Sequence, residues 1–136
     1  MAEFRRVTET FAVAAQIAVA DVALAKAEGF VKLINNRPDG EAPGQPTSAE
    51  MEKAAGEAGL DYVFIPVVGR PTAEQAQAVT QAADAASGPV LAYCRSGTRS
   101  ITTWAVGQAL AGKRSPRELV ELGAEVGYDL SAVLGA

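Results

Sequence analysis

The chain has 136 residues, 49% of them hydrophobic and 21% charged, with a formal net charge of −4. This suits one globular domain over residues 1–136 with a full hydrophobic core, and the mild acidity argues against nucleic-acid binding, which leaves a basic footprint. A single cysteine and the absence of histidine exclude an internal disulfide, Cys–His dyads, Ser–His–Asp triads and histidine-based metal sites, so no metal or organic cofactor is expected.

In chain order, Phe4 to Val7 and Phe11 to Ala14 read as two short strands, a hairpin through Thr8-Glu9-Thr10. Arg5-Arg6 followed by the apolar run Phe11 to Ala20 has the outline of a signal peptide. Gln16 interrupts that run, Glu3 and Glu9 spoil its positive flank, and it is too short to span a bilayer. With the lone thiol, this favours a cytoplasmic protein that does not engage a membrane. Val19 to Glu28 reads as a helix ended by Gly29, and Phe30 to Ile34 as a strand. Asn35 to Pro46 is the densest cluster of turn formers, and a loop this long in a compact domain points to function. Ser48 is placed to cap a helix over Ala49 to Ala58. Met51 stands where a capping-box glutamate would be, so no box is expected. Tyr62 to Val67 is the next strand, left through the tight loop Val68-Gly69-Arg70-Pro71. Thr72 caps a helix to about Ala86. Pro89 to Tyr93 is a buried strand, Cys94 to Ser100 a loop, and Ile101 to Ala111 a helix. Ser115 and Glu118 form a capping box for a last helix to about Gly123, and the tail from Tyr128 is a short helical turn.

Strands alternating with helices imply parallel β-α-β units in a three-layer α/β domain, a mostly parallel sheet flanked by helices. Ligands of such sheets bind beyond the carboxyl ends of the strands. Three loops leave those ends, so Arg37, Asp39, Glu41 and Arg70 are candidate walls of one site around Cys94.

The segment Cys94-Arg95-Ser96-Gly97-Thr98-Arg99-Ser100 carries the chemistry. A thiolate between a strand and a helix N-terminus, in a loop of small residues closed by arginine, suits attack on a small anionic substrate. Arg95, Arg99, Lys113 and Arg114 give this stretch a local positive charge. Cys94 is the expected nucleophile and Arg99 the clamp for the substrate anion. Arg95, Ser96, Gly97, Thr98 and Ser100 are expected to form the substrate cradle. Gly97 would supply a positive φ, and Ser100 would cap the helix or donate to the sulfur. Arg95 has the weaker claim, since the loop could point it outward. Asp39 and Glu41 are candidates for an acid–base role, which turn propensity explains equally well for Asp39-Gly40. Trp104 is expected in the core.

The loop Cys94 to Arg99 resembles the active-site loop of rhodanese sulfurtransferases, with four residues between cysteine and arginine. Cysteine-dependent tyrosine and dual-specificity phosphatases have five, usually after a histidine; here Tyr93 takes that place. Taken with Ile34 to Glu41 and Ile65-Pro66-Val67, the loop resembles the phosphatase-like domain family of beta-lactamase-hydrolase-like proteins, over about Phe4 to Gly127. That resemblance implies a dual-specificity-phosphatase-like fold and a functional link to a persulfide dioxygenase or metallo-hydrolase-type enzyme. It implies either phosphatase or sulfurtransferase activity. Phosphatases of this fold place an aspartate general acid where this chain has Val68 to Thr72, without a carboxylate. The leading expectation is therefore sulfur transfer through a Cys94 persulfide, from thiosulfate or a persulfide to a thiol or cyanide. The alternatives are a phosphatase working through a Cys94 phosphocysteine, with Asp39 or Glu41 as acid, and a non-catalytic anion-binding module.

Overall fold

The structure, a computed structural model, describes residues 2–135. Three strands, β2 (Phe11–Ala14), β3 (Lys32–Asn35) and β5 (Val90–Tyr93), are buried at every position. Runs buried on both faces are the mark of central parallel strands. Two edge strands complete the sheet, β1 (Arg5–Arg6) and β4 (Asp61–Phe64), giving the order β1-β2-β5-β3-β4. β1 pairs antiparallel with β2, as the hairpin requires, and every other pairing is parallel.

The period-two alternation of a strand sends neighbouring side chains to opposite faces. Phe11, Val13, Ile34, Val90 and Ala92 therefore pack on one side, under α3 (Ala73–Asp84), α4 (Thr98–Leu110) and α5 (Pro116–Glu125). Ala12, Ala14, Leu33, Leu91 and Tyr93 pack on the other, under α1 (Asp21–Ala27) and α2 (Ser48–Ala58). A last short turn, α6 (Ser131–Leu134), ends the described chain. The result is the expected three-layer α/β sandwich. Trp104 is in its core, 2% exposed and stacked on Phe11 with ring centroids 4.9 Å apart.

Several boundaries differ from expectation for local reasons. Thr47, not Ser48, caps α2, and Glu50 at the third position returns the bond, so a capping box is present one residue earlier. Ser48 is the first helical residue, and its hydroxyl meets the Tyr62 hydroxyl at 2.7 Å. β4 stops at Phe64 because Pro66 has no N–H to continue the ladder, although Ile65 and Val67 still donate to the carbonyls of Asn35 and Asn36. At α5, Ser115 accepts the Glu118 N–H, but the Glu118 carboxylate faces Arg114. Among the described residues, no helix is long and apolar enough to cross a membrane.

Candidate active site

β5 lies at the centre of the sheet between β2 and β3. Cys94, the next residue, therefore emerges at the middle of the rim formed by the carboxyl ends of the parallel strands. Its N–H still reaches the Ala14 carbonyl at 3.4 Å, which ties it to the neighbouring strand end. The chain then turns sharply. Gly97 has φ +88° and serves as the N-cap of α4, a conformation that glycine alone adopts without strain. That turn aims the Gly97 N–H at the Cys94 sulfur, 3.1 Å away. Cys94 is 1% exposed.

The amides of Arg95, Ser96, Arg99 and Ser100 have no hydrogen-bond partner among the described residues. Those of Arg99 and Ser100 belong to the first turn of α4, which has no intrahelical acceptor for them. The four N–H groups flank the Gly97 donor along the chain, and free amides of a tight loop and a helix N-terminus are the groups that cradle an anion. Ser100 itself does not cap α4. It lies inside the first turn, fully buried, with its hydroxyl oxygen unpartnered. The donor to the sulfur is the Gly97 amide rather than the Ser100 hydroxyl. Ser96 and Thr98 are exposed and bond to each other through their hydroxyls at 3.0 Å. Arg95 is exposed, and among the described residues only its carbonyl is engaged, by the Gln16 N–H.

Arg99 turns toward the loops from β3 and β4. Its guanidinium donates to both carboxylate oxygens of Glu41, at 2.8 and 2.7 Å, and to the Val67 carbonyl at 2.8 Å. Arg37 also donates to Glu41, from Nε at 2.9 Å, and from Nη1 to the Gln16 side-chain oxygen at 3.2 Å. Glu41 thus bridges two arginines. The Arg99 hydrogen bonds first, then the one from Arg37, pull its pKa from about 4.5 down to about 2 against the opposing effect of burial. The Glu41 carboxylate, and more weakly the Cys94 sulfur, hold the Arg99 pKa above its ordinary value.

The three loops do converge, but unequally. Arg37 and Glu41 join Arg99 at the rim. Asp39 does not; its carboxylate accepts the Ser48 N–H at 2.8 Å and anchors the start of α2. Arg70 is exposed and makes no hydrogen bond or ion pair among the described residues. The loop after β4 contributes the Val67 carbonyl in its place. Glu41 is a wall, and an ion-paired carboxylate with so low a pKa holds no proton to give near neutral pH.

Three contributors escaped sequence reasoning. Gln16 had shown only as a polar break in an apolar run, yet it leaves β2 on the same rim. Tyr128, in the tail, donates its hydroxyl to the Ser96 carbonyl at 3.0 Å and braces the loop from behind. Tyr62 receives the Asn35 side-chain amide and meets Ser48, fixing both ends of the loop that carries Arg37 and Glu41. Only their places in the fold reveal these roles. Beneath that loop, Tyr93 is fully buried with its hydroxyl unpartnered, and burial raises its pKa.

The family described as "Beta-lactamase hydrolase-like protein, phosphatase-like domain" matches residues 3–111 of this chain. The chain belongs to that family. A beta-lactamase hydrolase-like protein of Agrobacterium fabrum is 43% identical over 129 residues, covering 93% of this chain and 30% of that protein. The chain thus spans under a third of the length of the curated relatives it matches. A crystal structure from Neisseria meningitidis, provisionally called a phosphatase, superposes with a TM-score of 0.84 at 27% identity, over 96% of this chain and 93% of that one. PTPMT1 shares the fold, with a TM-score of 0.72 at 24% identity over 91% and 82% of the two chains. The domain is phosphatase-like in family and in fold, and these names favour the phosphatase alternative over the sulfurtransferase expectation.

Proposed function

We propose that this phosphatase-like domain hydrolyses phosphate monoesters with good leaving groups, aryl esters above all, through a phosphocysteine on Cys94. The observation that carries this reading is the Cys94 sulfur, which accepts the Gly97 N–H at 3.1 Å in a loop where the amides of Arg95, Ser96, Arg99 and Ser100 are unpaired among the described residues. In the first step the thiolate attacks phosphorus. An S–P bond forms, the P–O bond to the leaving group breaks, and the leaving oxygen takes the electron pair. The loop amides hold the non-bridging oxygens and meet the charge that grows on them, with Arg99 beside them. In the second step water attacks phosphorus and the S–P bond breaks. Inorganic phosphate leaves, Cys94 is again a thiolate, and the water proton passes to phosphate or solvent.

The leaving group decides the substrate class. Glu41 is ion-paired and ionised, and Asp39 is turned to the α2 amide, so neither supports protonation of a departing alkoxide. A phenol, with a pKa of about 10, leaves unaided far more readily than an aliphatic alcohol. The same two observations, with only four residues between Cys94 and Arg99, favour a second reading. Sulfur transfer expels sulfite or a thiolate, which leaves without a proton.

Para-nitrophenyl phosphate and glycerol phosphate, followed by intact mass of the protein, test both readings. Release of phosphate from the aryl ester, lost in Cys94→Ser, with much slower release from the alkyl ester, is the expected result. Hydrolysis that persists in Cys94→Ser would sink the phosphocysteine. A reductant-labile gain of one sulfur on Cys94 after thiosulfate, without ester hydrolysis, would transfer the assignment to the second reading.

A further inference from the structure

Arg37 follows β3 and Gln16 follows β2, strands that flank β5 on opposite sides. At ordinary strand spacing those two strands lie about 10 Å apart. Backbone bonds hold both neighbours against β5: the Asn36 N–H donates to the Tyr93 carbonyl at 2.8 Å, and the Gln16 N–H to the Arg95 carbonyl at 3.3 Å. The Arg37–Gln16 side-chain bond at 3.2 Å therefore carries the guanidinium across the carboxyl end of β5, where Cys94 leaves the sheet.

This charge is buried, with the Arg37 side chain only 5% exposed. A guanidinium has five N–H donors. Here Nε goes to Glu41 and Nη1 to Gln16. Nη2 has no partner among the described residues and is not among the polar atoms sealed from solvent. Nη2 is therefore the one edge of an otherwise buried cation that opens outward, a donor held in place by the bonds at Nε and Nη1 and free to exchange water for an anion oxygen. Arg99 is also partly engaged: Nη1 donates to Glu41 and to the Val67 carbonyl and Nη2 to Glu41, which leaves two of its five donors, the Nε–H among them, for an anion.

We propose that Arg37 is a substrate-binding residue. Its Nη2 group donates to an oxygen of the same small tetrahedral oxyanion whose central atom Cys94 attacks. Arg37 and Arg99, joined through Glu41, then face that anion as a pair of guanidinium groups, and Gln16 fixes the reach of the first. The inference rests on the reading of Cys94 as the nucleophile of an anion site.

Alkylation of the full chain tests it without turnover. Iodoacetate carries an anion and iodoacetamide does not, so the ratio of their rates at Cys94 reports the anion subsite. Protection by inorganic phosphate reports it a second time. Arg37→Gln is expected to lower the ratio about tenfold, the worth of one charge-assisted hydrogen bond, and to weaken phosphate protection similarly, while Arg37→Lys retains part of both. An unchanged ratio and unchanged protection would overturn the proposal, as would equal slowing with both reagents, which a bracing role alone predicts. Breaking a buried ion pair from one side destabilises proteins. Should Arg37→Gln not fold, Glu41→Gln is compared with the Arg37→Gln/Glu41→Gln double variant; the same tenfold step between them supports the proposal, and its absence overturns it. Failure of both reagents to modify Cys94 in folded wild type overturns the nucleophile reading and the proposal together. Normal alkylation without an Arg37 effect overturns the proposal alone.

Discussion

Replacing Gly97 with alanine tests the loop at its tightest point. The position has φ +88°, which costs an L-residue about 1–2 kcal/mol. The space is also taken. A methyl group there would overlap the Tyr128 hydroxyl, with the Tyr128 ring carbon behind it at 3.2 Å and the Ala14 carbonyl at 3.4 Å. Tyr128 would have to swing away and give up its bond to the Ser96 carbonyl, worth about 1 kcal/mol. The two effects add to roughly 2–3 kcal/mol. At about 3–5 °C per kcal/mol for a chain of this size, Gly97→Ala should melt roughly 10 °C lower.

Function should fall further than stability. Turning the Gly97 amide away removes the hydrogen bond to the Cys94 sulfur and tilts the neighbouring amides of the loop. Urea denaturation followed by iodoacetamide alkylation of the folded variant measures the two effects separately. Tyr128→Phe in the Gly97→Ala background should restore part of the stability, because the overlapping oxygen is gone, but not the alkylation rate, because φ is still forced. A Gly97→Ala protein within 0.5 kcal/mol of wild type (a margin typical of indifferent surface substitutions) with an unchanged alkylation rate would refute the reasoning.

Glu41 gives a prediction in pH. Its pKa is depressed from about 4.5 to about 2, so it contributes stability that is full above about 4.5 and is lost as pH falls through about 2. Glu41→Gln should therefore be less stable than wild type at neutral pH by about 1 kcal/mol, screening by solvent limiting the ion pair. The gap should close across that acid window, as read by denaturation at a series of pH values; a gap that widens on acidification would contradict the assignment. Thr47→Ala should cost about 1 kcal/mol, the worth of an N-cap, since Thr47 rather than Ser48 accepts the Glu50 amide. Chemical denaturation reads this directly, and equal stability would return the cap to Ser48.

The layers and the Cys94 loop were legible in the sequence because they are written in local signals. The short apolar runs Phe11 to Ala14 and Val90 to Tyr93, the glycines behind the helices, and the spacing of Cys94, Gly97 and Arg99 each act within a few residues. The cap of α2 was misplaced by one residue because Thr47 and Ser48 have equal claims until backbone angles separate them. The start of α4 depended on the φ of Gly97. Contacts between distant positions carry no local mark. Glu41 lies 58 residues from Arg99, and Tyr128 lies 32 from Ser96. The sequence offered Arg37, Asp39, Glu41 and Arg70 on equal terms. Side-chain geometry separates them, sending Asp39 to a helix end and Arg70 to solvent.

Charge at the rim sets what the site holds. Arg37 and Arg99 against Glu41 leave one positive charge, and a Cys94 thiolate cancels it. The site is then close to neutral, on a chain of net charge −4. Attraction at long range does not bring a dianion to such a place, since exposed charges are screened within about 10 Å at ordinary salt. On the reading proposed above, binding comes from donors that act at contact, the four free amides and the open edge of Arg37. Such donors act best on a small group that fits between them and on charge that develops where they already point. Selectivity in a site of this kind lies in the size of the reacting group and in the ease with which its other half departs, not in the total charge of the molecule that carries it.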